Sequence, residues 1–360
     1  MSNSTLIEPT FKCFTGVDIA AKDFTAATLM LGGKPKLEKK PFEQTGEGFS
    51  RYLASLSSSG VLPQEHLIVM ESTGPYWVAL ALILSQAGYG VAVVNPSQVH
   101  FFAKAQLKRS KNDKLDAQTL AEFAQTMQPN LTLWTPPPQF YHELRQRISQ
   151  RDNLVRIKTQ VENQLHALGV NPVIIESVRQ QLQELSATLS AQIEQMDQEL
   201  ANLLKIEFKE LNQEAESELS PEKEWKKSIA LLRTIPGIGP LTASWLVLTT
   251  LNFTTCQSPQ ALTLYAGLAP IERSSGSSIR GHPQIGHSGN ARLRTLLYLA
   301  TLTAARYNPI IKVFWQRLRE KKHKPLKVAR CACARKLLHL AFAVVKSGKP
   351  FDPGKIVIEG

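Results

Sequence analysis

Four acidic residues stand where the surrounding sequence predicts strands or a helix. Asp18 interrupts an apolar strand, and Glu71 ends another. A carboxylate in such a place must be hydrogen-bonded, paired or metal-bound, because burying it bare costs several kcal/mol. Asp113 and Asp116 are three residues apart, so they share one face of a predicted helix. These four acids predict a site for divalent cations such as Mg²⁺, which would suit in-line phosphoryl transfer.

Each of these acids also has a structural interpretation. Asp18 is equally well explained as a buried, hydrogen-bonded carboxylate, Glu71 as a cap for the helix that opens at Pro75, and Asp113 as the N-cap of its own helix. Nearby cations favour a phosphate-facing edge over a plain solvated face. They are Lys104, Lys108, Arg109, Lys111 and Lys114.

Two segments rich in serine, glycine and arginine follow at residues 273–281 and 286–294. Such a loop can present a hydroxyl to a phosphate while guanidinium groups hold the phosphate oxygens. A flexible surface loop is the competing interpretation. The candidate phosphate ligands are Arg273, Arg280, Arg292 and Arg294. His282, His287, Cys331 and Cys333 give no recognisable zinc spacing.

Two further features predict contacts with nucleic acid. Gly237 and Gly239 lie in a Pro-Gly-Ile-Gly turn between two apolar helices, which is typical of a helix-hairpin-helix gripping a phosphate backbone, or of a simple tight turn. Residues 312–336 hold ten basic residues against one acid, Glu320, with Trp315 as a stacking or a core residue. The central lysines of this run are Lys321, Lys322 and Lys324.

The elements that must position these residues follow from apolar periodicity. Two strands are predicted within 11–31, a third over 36–44, and buried strands over 66–70 and 90–94. Helices are predicted over 46–57, 76–87 and 112–126, so the first part of the chain is a mixed α/β domain.

A Pro-rich boundary at 134–138 precedes a long polar stretch with apolar residues spaced by threes and fours, interrupted near 169–172. It predicts an antiparallel helical hairpin or dimerisation stalk, or else an ordinary helix pair within one chain. The last part is predicted to be mainly helical.

Composition restricts the class of protein. The chain has 360 residues, 43% of them hydrophobic, and a net charge of +12. Residues 221–360 carry 22 basic and 6 acidic residues, while residues 1–220 carry 20 and 24. An extended polyanion is therefore the expected partner of the last third. Four cysteines without a paired framework, no apparent secretion signal and no membrane span predict a cytoplasmic protein.

The order of these parts resembles one family: bacterial insertion-sequence transposases that join an RNase H-like, RuvC-type domain to a serine-bearing transposase domain, and the related pilin-gene invertase. The resemblance rests on several short motifs that together span most of the chain. They are Gly16-Val17-Asp18, Glu71-Ser72-Thr73-Gly74-Pro75, Lys111-Asn112-Asp113-Lys114-Leu115-Asp116, Ile235-Pro236-Gly237-Ile238-Gly239, Ala266-Gly267-Leu268-Ala269-Pro270, Ser275-Gly276-Ser277-Ser278 and Gly289-Asn290.

The resemblance implies three domains: a RuvC-like catalytic domain over 1–133, a coiled-coil region over 134–222 and a serine transposase domain over 223–360. It implies that Asp18, Glu71, Asp113 and Asp116 form a Mg²⁺-binding DEDD tetrad and that Ser275 becomes covalently joined to DNA. Ser274 precedes Ser275, so the choice of serine depends on register.

The resemblance further implies a guide (bridge) RNA that pairs with donor and target DNA, and dimers or tetramers in which the tetrad of one protomer meets the serine of another. The sequence is thus interpreted as an RNA-guided DNA recombinase that needs no ATP. The alternatives are a hydrolytic RuvC-like Holliday-junction resolvase or nuclease, and a non-catalytic nucleic-acid scaffold.

Overall fold

The fold is described from a computed structural model over most of the chain. The described residues are 11–72, 76–107, 113–205, 220–256, 258–271, 274–275, 279–280, 284–286 and 289–354. The chain divides into two compact units, Met1–Pro136 and Pro137–Gly360. The division into three domains expected from the sequence remains a prediction.

A mixed sheet forms the centre of the first unit. Its strands are β1 (Cys13–Ile19), β2 (Asp23–Met30), β3 (Lys36–Leu37), β4 (Phe42–Glu43), β5 (His66–Glu71) and β6 (Gly90–Val94). They lie in the order β3-β2-β1-β5-β6, and β4 also pairs with β2. The β1–β2 pair is antiparallel, whereas β1–β5 and β5–β6 are parallel. The α/β prediction is confirmed.

Helices cover both faces of this sheet: α1 (Gly46–Ser57), α2 (Trp77–Gln86), α3 (Pro96–Ala105) and α4 (Asp113–Met127). Because successive side chains of a strand point to opposite faces, Val17, Ile68 and Met70 pack with residues of α1 and α2. Phe14 and Leu67 pack instead with residues of α4. Short 3₁₀ turns lie at Pro63–Glu65 and Gln128–Asn130.

Two sequence expectations for this unit need correction. The predicted third strand is two strands of two residues each, separated by residues 38–41, where Pro41 has no N–H for a ladder. Helix α3 is absent from the sequence predictions, because Asn95-Pro96 is also typical of the end of a strand. Proline at the first helical position lacks only an N–H that would be unpaired there in any case.

Helices α5 (Gln139–Gly169) and α6 (Glu176–Leu203) form an antiparallel hairpin. Arg147 Nε lies 3.6 Å from Glu199 Oε2, and Arg151 Nε lies 2.7 Å from Asp197 Oδ1, so the partners run in opposite directions along the two helices. The apolar seam is formed by Leu154, Val161, Leu165, Leu182, Leu189, Ile193 and Met196. The predicted hairpin is therefore present within one chain.

The remaining elements are mainly helical, as predicted. They are α7 (Pro221–Arg233), α8 (Pro240–Thr249), α9 (Pro259–Tyr265), β7 (Pro270–Ile271), β8 (Ser274–Ser275), β9 (Ile279–Arg280), β10 (Gln284–Ile285), α10 (Ala291–Tyr307), α11 (Pro309–Gln316), a π-helical turn (Arg317–Lys321) and α12 (Leu326–Ser347). Three of these helices combine a capping side chain with proline in the first turn, a favourable helix start. Their caps are Ser220, Ser258 and Asn308.

One large apolar core joins these helices to the base of the hairpin. Tyr141, Leu144 and Ile148 of α5 belong to the same buried cluster as residues of α8, α10 and α12. All four cysteines are free thiols, and burial raises the pKa of Cys13 to about 11 and that of Cys333 to about 12. Within the described ranges, no helix combines the length and apolarity needed to cross a membrane.

Candidate active site

Asp18 and Glu71 stand at the carboxyl ends of two neighbouring parallel strands. Val17 lies opposite Met70 in the β1–β5 ladder, and each acid is the next residue of its strand. Side chains alternate between the faces of a strand. Both acids therefore share the face on which Phe14 and Leu67 pack against α4, and both are half-buried. The structure thus brings two of the four predicted acids to one edge of the sheet.

Helix α4 lies directly on β1 at Gly16. A Cβ atom built on Gly16 would come within 2.2 Å of the Ala117 carbonyl oxygen and 2.3 Å of the Ala121 nitrogen. Only a glycine permits this approach. Phe14, earlier in β1, packs in the cluster that includes Ala124, so α4 runs antiparallel to β1. The N-terminal turn of α4 is therefore at the same end of the sheet as Asp18.

Asp116 immediately precedes Ala117 and is half-buried. Asp113 is the first residue of α4, and its side chain lies outside the described part. Each stands one helical turn before a sheet-facing residue, Ala117 or Leu120. Among the described residues, no three or more His, Cys, Asp or Glu side chains are grouped so that they could hold a metal ion. The donor chemistry is nonetheless that of hard carboxylate oxygens, which suits Mg²⁺.

The predicted serine segment forms short strands. Ser274 lies opposite Arg280 and Ser275 opposite Ile279 in the antiparallel β8–β9 pair. A second antiparallel pair, β7 with β10, lies on either side of the serine segment in the sequence, with Ile271 opposite Gln284. Arg273, Gly276, Ser277, Ser278, His282 and His287 lie outside the described residues.

The base of the serine segment is fixed by a close contact between two glycines. A Cβ atom on Gly289, whose φ is +87°, would lie 2.5 Å from the Gly267 nitrogen. The Asn290 N–H donates to the Tyr265 carbonyl at 2.8 Å, and Asn290 Oδ1 accepts from the Leu293 N–H, capping α10. The sequence motifs contained Gly267, Gly289 and Asn290, but their spacing gave no sign that they meet.

Arg292 makes contacts within the chain that the sequence did not predict. One of its terminal nitrogens lies 2.5 Å from Asp152 Oδ2, and its guanidinium group stacks 5.9 Å from the Trp245 ring centre. Asp152 belongs to α5 and Trp245 to α8, so Arg292 links three helices. Arg294 donates to the Gly267 carbonyl at 3.4 Å. Both arginines therefore help to hold the helix that follows the serine segment.

The Pro-Gly-Ile-Gly turn connects α7 and α8. Gly237 has a φ of +104°, and a Cβ there would lie 2.6 Å from Ala304 Cβ of α10. Gly239 is exposed and is the N-cap of α8, with no side-chain cap. Gly237 thus has a packing function, while Gly239 leaves the first turn of α8 open to an anion.

The basic run predicted over 312–336 covers α11, the π-helical turn and the start of α12. Lys321, Lys322 and Lys324 are exposed. Trp315 is half-buried and packs against the core. Lys336 lies 4.8 Å from the Phe314 ring centre, and burial followed by the charge of Arg317 lowers its pKa. Lys108, Arg109 and Lys111, predicted on the other unit, lie outside the described residues.

Comparison with known proteins gives two matching family models and several relatives. Residues 15–168 match the DEDD transposase model of IS110 elements, described as a transposase, and residues 229–316 match the model described as the transposase IS116/IS110/IS902 family. The pilin gene-inverting protein of Moraxella bovis is 30% identical over 345 residues, covering 95% of this chain and 98% of that protein. The transposase for insertion sequence element IS1328 of Yersinia enterocolitica is 27% identical over 302 residues, covering 79% and 85%.

Proposed function

Because the chain belongs to the IS110 family of transposases, we propose that it is an RNA-guided DNA recombinase that inserts and excises its own insertion sequence. The observation that carries the proposal is the meeting of Asp18 and Glu71 at one edge of the sheet, beside the N-terminal turn of α4, in a chain that also has a serine hairpin. The antiparallel β1–β2–β3 strands leading into parallel β5 and β6 support an RNase H-like, RuvC-type domain.

Asp18, Glu71, Asp113 and Asp116 would hold Mg²⁺. Such a cation, when bound, neutralises charge on the phosphoryl oxygens. The remaining chemistry belongs to the chain itself. In this proposal Ser275 Oγ loses its proton and replaces a sugar oxygen at phosphorus, and that sugar oxygen takes up a proton and leaves as a hydroxyl. Attack by the hydroxyl of another strand end then breaks the phosphoserine bond and restores the serine, so no ATP is consumed.

The arginines of the serine segment would hold the phosphate during this exchange. Arg273 and Arg280 are the nearest in sequence, and Arg280 lies on the strand paired with Ser274. A guanidinium group can donate two parallel hydrogen bonds to phosphate oxygens. Arg292 and Arg294 would support the segment from α10, because their described contacts are made within the chain.

The basic last third would bind the guide RNA and the donor and target DNA, with Gly237, Gly239 and the lysines around Lys322 near the backbone. The protein would act as a dimer or tetramer in the bacterial cytoplasm, at the nucleoid, with the acids of one protomer serving the serine of another. The long α5–α6 hairpin, with exposed apolar residues such as Val173 and Ile175 near its tip, supports assembly through this region.

Trapping the covalent protein–DNA adduct tests the proposal. Ser275→Ala should abolish both strand cleavage and the adduct, while RNA binding and folding stay unchanged, because the substitution removes a single oxygen. Ser274→Ala is the matched control and should keep the adduct. If the roles of these two variants are reversed, the register is wrong and the mechanism stands. If both variants still cut DNA and no adduct forms, the protein is a hydrolytic nuclease.

A further inference from the structure

A cavity of about 540 Å³ lies between the base of the α5–α6 hairpin and the start of α8, within the second unit. The proposed function assigns Gly239, at the start of α8, to the nucleic-acid backbone, but it does not use the cavity itself. Its volume falls within the range typical of sites for small organic ligands. Ile148, Leu200, Leu204, Pro240 and Leu241 supply apolar wall, and Arg151, Asp197, Ala201, Lys205, Arg233 and Ser244 complete the lining.

The α8 end of this cavity has two independent features of an anion site. Helix α8 has ten residues and begins at Pro240, and its N-cap Gly239 offers no side chain to the first-turn N–H groups. The partial positive charge of a helix N-terminus attracts phosphate. Ser244, one turn further along, is fully buried, and its Oγ has no hydrogen-bond partner among the described groups. A buried hydroxyl without a partner is unfavourable, so turning this side chain toward a bound ligand would stabilise it.

The charges around the cavity favour a ligand that is anionic at one end. Arg151 is held by Asp197 at 2.7 Å, so these two residues offset each other. Lys205 and Arg233 are exposed cations in the lining of the cavity. An inorganic phosphate would occupy only a small part of this volume and would leave the apolar wall without a contact.

We propose that this cavity binds one nucleotide turned out of the bound nucleic acid, with its base against the apolar wall and its phosphate at the start of α8 beside Lys205 and Arg233. The inference rests on the nucleic-acid binding in the proposed function and needs no cleavage step. An extruded base loses its stacking partners, and an enclosed apolar pocket replaces them.

Calorimetric titration of the full-length protein with nucleoside monophosphates tests this inference. The four ribonucleotides, the four deoxyribonucleotides and inorganic phosphate are titrated separately, so that RNA and DNA sources are distinguished. At least one nucleotide should bind saturably, and about tenfold more tightly than inorganic phosphate. No saturable binding up to about 10 mM, or equal affinity for phosphate alone, would overturn the proposal.

Two matched pairs of variants locate the binding. Ala201→Phe fills the cavity from an exposed position of α6 and should weaken nucleotide binding by at least about tenfold, whereas Ala187→Phe, exposed two heptads earlier on α6, should not. Arg233→Gln should weaken it in the same way, and Arg306→Gln, exposed in the last turn of α10, should not. Unchanged binding in both cavity variants would refute the site. Adduct formation by wild-type protein is scored separately, so failure of the catalytic proposal is distinguishable.

Discussion

At the scale of single residues, the candidate active site depends on where two strands end. Sequence reasoning could find Asp18 and Glu71 because each is a charge next to a buried apolar run. It could also expect them to be neighbours, since the carboxyl ends of parallel strands meet at one edge. The Asp152 partner of Arg292 could not be found in this way, because a contact between α5 and α10 depends on how distant helices pack.

Replacing either of two acids by its amide tests the tetrad. Asp18→Asn and Asp116→Asn should each lower strand cleavage by about a thousandfold or more, because a carboxylate that helps to hold a catalytic cation contributes several kcal/mol of transition-state stabilisation. RNA binding and the circular dichroism spectrum should not change. Asp23→Asn, an exposed acid at the start of β2, is the control and should keep full activity. Wild-type cleavage by both tetrad variants would remove these acids from the mechanism.

His66 gives the first unit a predicted sensitivity to acid. It is fully buried, its Nε2 lies 2.7 Å from Thr15 Oγ1, and burial lowers its pKa from 6.5 to about 4. His66 is therefore protonated near pH 6.5 in the unfolded chain but only near pH 4 in the folded chain. The free energy of unfolding is therefore unaffected by His66 above pH 6.5. It falls by about 3 kcal/mol as the pH is lowered from 6.5 to 4, because the unfolded chain is then favoured by protonation.

Urea unfolding between pH 7 and pH 4 measures this effect. His66→Gln cannot titrate and should flatten the decline of the unfolding free energy below pH 6.5. His100→Gln, an exposed histidine of α3, should leave the decline as in the wild type. Equal slopes for the wild type and the His66 variant would show that other groups cause the acid sensitivity.

At the scale of elements, the strands and the hairpin were predictable because their apolar periods are long and clear. Helix α3 was not, since Pro96 is compatible with both a strand end and a helix start. The β3–β4 interruption was missed because the apolar residues of 36–44 are too few to give a period. The close packing of α4 on β1 could not be predicted either. Gly16 belongs to a sequence motif, but its contact with Ala117 is a tertiary one.

Gly16→Ala tests whether the close packing of α4 on β1 positions Asp116 beside Asp18. The added Cβ would meet backbone atoms of α4, so the helix must move away from β1, at a cost of about 1–3 kcal/mol in unfolding free energy. Strand cleavage should fall as sharply as in Asp116→Asn, because Asp116 moves with the helix. Gly46→Ala, where nothing lies within 4 Å of the added atom, should change stability by less than about 0.5 kcal/mol. Full activity in the destabilised Gly16 variant would contradict this positioning role.

At the scale of the whole molecule, charge is divided between the two ends of the chain. Residues 221–360 carry a net charge of +16, whereas residues 1–220 carry −4. An acidic half close to DNA would be repelled unless cations intervened. In the proposed function, the basic part would supply most of the phosphate contacts, while the acidic edge would keep the carboxylates that a cation needs.

The salt dependence of nucleic-acid binding tests this division. Each lysine that neutralises a phosphate releases counterions, so replacing Lys321, Lys322 and Lys324 by glutamine should reduce the slope of log affinity against log salt by up to about three units. These lysines are exposed around the π-helical turn and the start of α12, so their loss should not lower the unfolding free energy measurably.

The matched control replaces Lys34, Lys36 and Lys40, exposed lysines of the first unit, and makes the same change in net charge. If the slope depended on net charge alone, both triple variants would lower it equally; if the basic surface binds the backbone, only the first will. An unchanged slope in the first variant would mean that Lys321, Lys322 and Lys324 face solvent in the complex.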